Sequence, residues 1–244
     1  MEVVFCSQSD VADCKLTYYS SECEVEFCGH GTIATMYTMV KETPELMAKP
    51  VITAETNRKG IIEVFNAINK EDAVYITAPD PIEYPMNLSV EQIEDALTLS
   101  HGSIRKDLPI RIINAGLRTL LVPIADLDTE ISVFPNEQSL KVFCLDNDID
   151  IILVFSRQTA DTAAYAHTRV FAPKFGYLED PATGSGNSAF ANYLLSEGLW
   201  DGQPITIEQG GNDRIFNSVK LKCQNGKVLF GGKATKKIEG EYYI

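Results

Sequence analysis

One short frame occurs twice in this chain, and it limits the possible folds more than any other feature. Cys28-Gly29-His30-Gly31-Thr32-Ile33-Ala34 and Thr183-Gly184-Ser185-Gly186-Asn187-Ser188-Ala189 share G-x-G-x-x-A at an offset of 155 residues, and each runs on into an apolar helical pattern. Each also follows a strand-like segment with an aromatic (Leu16-Thr17-Tyr18-Tyr19; Arg169-Val170-Phe171-Ala172-Pro173) and then an acidic turn (Glu24-Val25-Glu26; Leu178-Glu179-Asp180). An interval this long is no solenoid period. It points to two homologous halves, residues 1–107 and 108–244, divided near 106–109, with the last strand returning to the first half. A length of 244 residues suits two small domains.

Around the frame, β-type runs dominate: 3–5, 16–19, 61–65, 73–77, 110–113, 119–123, 149–155, 168–172, 205–208, 218–222 and 228–231. Helical patterns cover 29–42, 184–197 up to Gly198, 136–147 after Pro135, and a segment where Ser89 and Gln92 form a capping box before Ile93, Ala96 and Leu97. The reading is therefore α+β. Glycine lets a backbone approach a ligand closely, and the first-turn N–H groups of a helix, at the positive end of its dipole, bind anions. Two such turns at one cleft would clamp a small carboxylate through Gly29, Gly31, Thr32, Gly184, Gly186 and Asn187. A dinucleotide fold is set aside because neither turn is read inside a strand–helix–strand unit with parallel strands and a third glycine. A P-loop lacks its Gly-Lys-Ser or Gly-Lys-Thr.

Charge and cysteine usage narrow the function. Lys plus Arg number 21 against 34 Asp plus Glu, a net charge of −13 that disfavours nucleic acid and anionic lipid as partners. No basic segment precedes an apolar stretch at the start, and no apolar run approaches the roughly 18 residues of a membrane span, so a cytoplasmic protein is expected. Six cysteines without a C-x-x-C pair and three histidines give no zinc or iron–sulfur spacing; neither metal nor cofactor is expected, and the thiols are read as reduced. Cys6, Cys14, Cys23, Cys144 and Cys223 are read as small buried hydrophobes, His101 and His167 as structural, and Trp200 as a packed helix-end aromatic. His30 inside the first turn, with Asp180 and Ser185 bracketing the second, suits removal and return of a proton on carbon in a cleft that excludes water.

Three strings carry a family resemblance. Glu179-Asp180-Pro181-Ala182-Thr183-Gly184-Ser185-Gly186, after Arg169-Val170-Phe171-Ala172-Pro173, resembles the signature of the PhzF family of phenazine-biosynthesis-type isomerases. Glu24-Val25-Glu26-Phe27-Cys28-Gly29-His30-Gly31-Thr32 is similar to that family's first-half motif, and Ile112-Ile113-Asn114-Ala115-Gly116-Leu117-Arg118-Thr119-Leu120-Leu121-Val122-Pro123 to its entry into the second half. The resemblance implies the diaminopimelate-epimerase-like fold. In that fold two pseudo-symmetric halves, each a curved, mostly antiparallel sheet around a central helix, hold the active site between them. It also implies cofactor-free acid–base catalysis on a small cyclic or amino carboxylate, and a homodimer. The family's histidine falls on His30, its aspartate on Asp180 and its serine on Ser185. Its acid–base glutamate lies in a Ser-Glu-x-x-Phe element whose second half matches Met1-Glu2-Val3-Val4-Phe5, which places that role on Glu2.

Two departures from the family pattern leave alternatives. Members carry a strand, a Gly-Asn-Pro turn and a helix ahead of this glutamate, where this chain starts. The expectation is a shortened first half, with activity weakened or lost unless a neighbouring strand or an oligomer partner supports Glu2. Cys28 also occupies the place where racemases of the same fold carry a thiol, and the positive end of a helix favours a thiolate. Cys28-Gly29-His30-Gly31-Thr32-Ile33 is similar to the first motif of proline racemase, while Thr183 stands where the partner thiol would be, an arrangement resembling that of 3-hydroxyproline dehydratases. A Cys28-dependent epimerase or dehydratase, or a non-catalytic carboxylate-binding protein, are the alternatives.

Overall fold

The computed structural model describes residues 2–20, 23–211 and 216–241; Met1 of the opening string lies outside the described residues. The chain divides into two compact units, Met1–Thr77 with Gly231–Ile244, and Ala78–Phe230. The first unit holds β1 (Val3–Ser7), β2 (Cys14–Tyr19), β3 (Glu24–Val25), α1 (Gly29–Glu42), α2 (Pro44–Met47), β4 (Val51–Thr56), β5 (Gly60–Asn66), α3 (Ile68–Glu71) and β6 (Val74–Thr77). β1 pairs antiparallel with β2, β2 parallel with β4, and β4–β5 and β5–β6 antiparallel, while β3 lies antiparallel on the end of β2. Side chains alternate along β2 and β4, so that Cys14, Leu16, Tyr18, Ile52, Ala54 and Thr56 are buried. α1 buries Met36, Tyr37 and Val40.

The second unit runs β7 (Ile82–Tyr84), α4 (Val90–Ala96), β8 (Arg111–Asn114), β9 (Arg118–Pro123), α5 (Leu127–Ser132), α6 (Glu137–Asp146), β10 (Ile151–Ser156), β11 (Ala166–Phe171), a 3₁₀ turn (Pro173–Phe175), β12 (Glu179–Asp180), α7 (Gly184–Ser196), β13 (Ile205–Gln209) and β14 (Asn217–Gln224). The final strand, β15 (Lys227–Gly232), begins in this unit and ends among residues of the first. β7–β8, β8–β9, β10–β11 and β13–β14 pair antiparallel, β9–β10 and β11–β13 pair parallel, and β12 lies antiparallel on β11. Every residue of β10 and β11 is buried, as the unbroken apolar run of β10 requires. Ile152, Val154 and Phe171 pack in one cluster with Ile93 and Leu97 near α4 and Leu140 and Cys144 of α6. Phe155 points the other way, its ring centroid 4.6 Å from Phe190 and 5.3 Å from Tyr193 of α7.

The repeated frame marks a repeated topology. β1-β2-β3-α1-β4-β5 and β10-β11-β12-α7-β13-β14 have the same order and the same sense of pairing at every step. This corrects one expectation: each frame does lie between two parallel strands, β2 and β4 or β11 and β13. The short antiparallel strand inserted before each helix, β3 or β12, is what separates the arrangement from a dinucleotide turn. The motif-based division at 107/108 and the division into compact units at 77/78 and 230/231 are different partitions. Cys14 and Cys144 are buried as expected, but Cys6 and Cys23 are exposed and Cys223 is half-buried; all six thiols are unpaired in disulfide terms. Cys6 lies on β1, the last strand of its pairing order among the described residues, with its Sγ 3.2 Å from Met39 Sδ. Among the described residues no helix is long and apolar enough to cross a membrane.

Candidate active site

In the first unit the site is built on the start of α1. Cys28, with φ −136° and ψ 106°, is the N-cap residue, and its Sγ accepts the Gly31 N–H at 3.3 Å. The Thr32 hydroxyl donates to the Cys28 carbonyl at 2.7 Å and lies 2.8 Å from the Tyr18 hydroxyl, which ties the turn to β2. A Cβ on Gly31 would stand 2.7 Å from Val4 Cγ2, so β1 rests directly on the first helical turn. That contact brings Glu2, the residue before β1, to His30: Glu2 Oε2 lies 3.1 Å from His30 Nε2, which is 3.5 Å from Cys28 Sγ. The Cys28 residue is 6% exposed, whereas the side chains of Glu2 and His30 are 27% and 52% exposed.

In the second unit Thr183 has the N-cap geometry of Cys28, with φ −110° and ψ 104°, yet its side chain does not cap the helix. Its hydroxyl donates instead to Asp180 Oδ2 at 2.5 Å. Gln209, fully buried at the end of β13, holds the loop by four bonds. Its Nε2 donates to the Asp180 carbonyl (2.7 Å) and the Thr183 hydroxyl (3.0 Å), and its Oε1 accepts from the Thr183 N–H (3.0 Å) and Asn187 Nδ2 (2.7 Å). Asn187 Nδ2 also reaches the Thr183 carbonyl, and its buried Oδ1 has no partner among the described residues. Ser185 lies beside Gly116, where a Cβ would meet the serine's own at 3.2 Å. The structure thus groups Glu2, Cys28 and His30 in one unit and Asp180, Thr183, Asn187 and Gln209 in the other. Gly31 and Gly184 are demanded by the protein's own packing, against Val4 and the Phe230 ring respectively, which is a different reason from the ligand approach expected of them.

Sequence reasoning missed Gln209 and the role of Arg169. Arg169 Nε and Nη2 donate to Glu179 Oε1 and Oε2 at 2.9 and 2.8 Å, and Nη1 donates to the carbonyls of Glu130, Ile131 and Val133. This fully buried guanidinium fixes β12 and so the backbone of the neighbouring Asp180. The available signal was a charged residue inside a strand-like run, Arg169 before Val170-Phe171-Ala172; Gln209, between Glu208 and Gly210, carried none. His101 and His167, expected to be structural, each lie against a buried carboxylate. His101 lies 3.1 Å from Glu94 Oε2, a buried carboxylate that also accepts the Gly102 N–H, and His167 lies 3.0 Å from Glu130 Oε1. Burial raises the Glu130 carboxyl to about 7, against the pull of His167. Trp200 is buried and donates from Nε1 to the Gln203 carbonyl at 2.8 Å.

Comparison with known proteins agrees with this architecture. The chain is 27% identical over 212 residues to the Uncharacterized isomerase YfhB of Bacillus subtilis (strain 168), covering 86% of this chain and 71% of that protein. It is similar to a crystal structure of the Bacillus anthracis phenazine biosynthesis protein of the PhzF family, with 25% identity, a TM-score of 0.81, and coverage of 94% of this chain and 80% of the other. A hydroxyproline epimerase from Agrobacterium vitis shares the fold, with 15% identity, a TM-score of 0.57, and coverage of 95% and 70%. With the model for PhzC-PhzF, phenazine biosynthesis-like protein, matching from residue 2 to residue 240, the chain belongs to that family.

Proposed function

We propose that this chain is an isomerase that moves a proton between carbons of a small cyclic or amino carboxylate by acid–base catalysis without a cofactor. The observation that carries the reading is the 3.1 Å approach of Glu2 Oε2 to His30 Nε2 at the start of α1. A carboxylate held by an imidazole can take a proton from an acidic carbon and return it to another, which needs both groups within hydrogen-bond reach of the reacting position. In this reading Glu2 is the acid–base residue and His30 orients it. Asp180, whose carboxylate is held by Thr183, and Ser185 are the corresponding polar groups of the other unit. Of the amides expected to hold the substrate's carboxylate, those of Gly29, Gly184 and Gly186 carry that role, because the Gly31 N–H bonds Cys28 Sγ and the Thr32 and Asn187 N–H groups bond the Cys28 and Thr183 carbonyls. The relatives named as isomerases support the reaction class.

A Cys28-dependent epimerase or dehydratase rests on a different observation, the 3.5 Å separation of Cys28 Sγ and His30 Nε2. Thr183, at the equivalent position, spends its hydroxyl on Asp180, so a symmetric two-thiol mechanism has no second base there. Deuterium incorporation in heavy water, followed by NMR across a panel of small cyclic and amino carboxylates, decides among the readings. Exchange that falls by about 10²–10⁴-fold in Glu2→Gln and persists in Cys28→Ser supports the isomerase. Loss confined to Cys28→Ser moves the activity to the thiol. Carboxylate binding without exchange marks a binding protein. We propose that the chain forms a homodimer, as the family resemblance implies, which sedimentation checks.

A further inference from the structure

We propose that Glu2, Cys28 and His30 form a zinc-binding site on the first turn of α1, through which zinc ion switches off the proton chemistry assigned to Glu2 and His30. Spacing alone excludes a Cys/His zinc motif, because Cys28 and His30 form a lone pair in sequence. The fold supplies the third donor. Among the described residues this is the one group of three His, Cys, Asp or Glu whose ligating atoms all lie within 4.8 Å of one another.

The distances match a tetrahedral ion. With zinc–sulfur bonds near 2.3 Å and zinc–nitrogen and zinc–oxygen bonds near 2.0 Å, tetrahedral angles separate S from N by about 3.5 Å and N from O by about 3.3 Å. Here Cys28 Sγ and His30 Nε2 are 3.5 Å apart, and His30 Nε2 and Glu2 Oε2 are 3.1 Å apart. The thiol and carboxylate, no more than 4.8 Å apart, are joined by a small rotation of Glu2. One sulfur, one nitrogen and one oxygen donor suit zinc; calcium and magnesium prefer oxygen alone. The site is preorganised, because Cys28 is fixed as N-cap with the Gly31 N–H on its sulfur and Glu2 is anchored through Val4 on the same turn. The His30 side chain is 52% exposed, which gives an ion access from solvent. On binding, the Cys28 thiol releases its proton to solvent, and zinc occupies the lone pairs of Glu2 and His30 that proton transfer requires. Metal binding stands on the geometry by itself; only the switching rests on the proposed isomerase function.

The test is a metal titration of the chelator-stripped full chain, with Co²⁺ as the spectroscopic probe and Zn²⁺ in competition with a chromophoric chelator. One equivalent of Co²⁺ with a thiolate charge-transfer band is expected. Cys28→Ser abolishes the band, and Cys28→Ser and Glu2→Gln each weaken Zn²⁺ at least about tenfold. Cys6→Ser and Cys23→Ser, which alter the exposed thiols, leave both signals unchanged. Circular dichroism establishes that each variant folds. Absence of binding at micromolar metal, or equal loss in Cys6→Ser or Cys23→Ser, overturns the site. In the exchange assay one equivalent of Zn²⁺ abolishes activity and a chelator restores it; exchange undiminished by bound zinc overturns the switch. If no exchange occurs even without metal, the isomerase reading fails while the titration still decides the site.

Discussion

A methyl group added at Gly31 would stand 2.7 Å from Val4 Cγ2 and 2.9 Å from Cys28 Sγ, so β1 or the helix cap must give way. Gly31→Ala is expected to lower the free energy of unfolding by about 1–3 kcal/mol, measured by urea titration. It should also lower proton exchange by up to about a hundredfold, since the same contact places Glu2 against His30. An unchanged rate with the full loss of stability would separate packing from positioning at this residue. His30 is legible as a candidate site residue because an imidazole inside a glycine turn has no packing reason to be there. The purpose of the glycine beside it was not legible, because its neighbour Val4 lies 27 residues earlier in sequence.

Elements that depend on local pattern were read closely. The Ser89–Gln92 capping box forms with both reciprocal bonds, and α1 and α7 begin at the glycines that announce them. β3, β7, β12 and the short helices α2, α3 and α5 lie outside the sequence-read runs, since strands of two or three residues and helices of one turn or so carry no periodicity; β4, Val51-Ile52-Thr53-Ala54-Glu55-Thr56, lies outside them although it alternates. Gln209 joins β13 to the start of α7 across buried polar groups that water cannot reach. Gln209→Leu takes from the Thr183 N–H its acceptor and from Asn187 Nδ2 one of two, and is expected to cost about 1–3 kcal/mol in urea unfolding. As a positioning residue for Asp180 it should lower kcat more than it raises KM, and Gln209→Glu should recover part of the stability through its remaining oxygen acceptor.

Across the whole molecule, two sets of carboxylates oppose each other with pH. Asp13 is held below its ordinary 3.8 by Lys49 and the Thr53 N–H, and Asp72 by Tyr37 and Lys233. Their contribution is present above 3.8 and is lost as pH falls through the lower folded value. Glu130 is lifted from 4.5 to about 7, so the folded protein keeps a proton that the unfolded chain releases. Its contribution is full below pH 4.5, declines above that, and is gone once pH passes about 7. Growing self-repulsion from a net charge of −13 acts in the same direction. Urea midpoints measured against pH should therefore peak near 4–5 and fall on both sides. Glu130→Gln should flatten the alkaline decline and keep the acid one; an unchanged alkaline slope would show that Glu130 is not its source.

What the sequence determined by itself was the repeated strand–turn–helix unit, the family, and the residue types of the candidate site. All of these are written in runs of ten or so residues, where periodicity, capping and turn chemistry act. The tertiary structure alone decided that each glycine turn lies between parallel strands and that Glu2 reaches His30 and Cys28. It alone decided that Gln209 and Arg169 hold the loop around Asp180. These depend on which distant side chains fill the space left by a missing Cβ or satisfy a buried amide, and packing of that kind leaves no local signature in the chain.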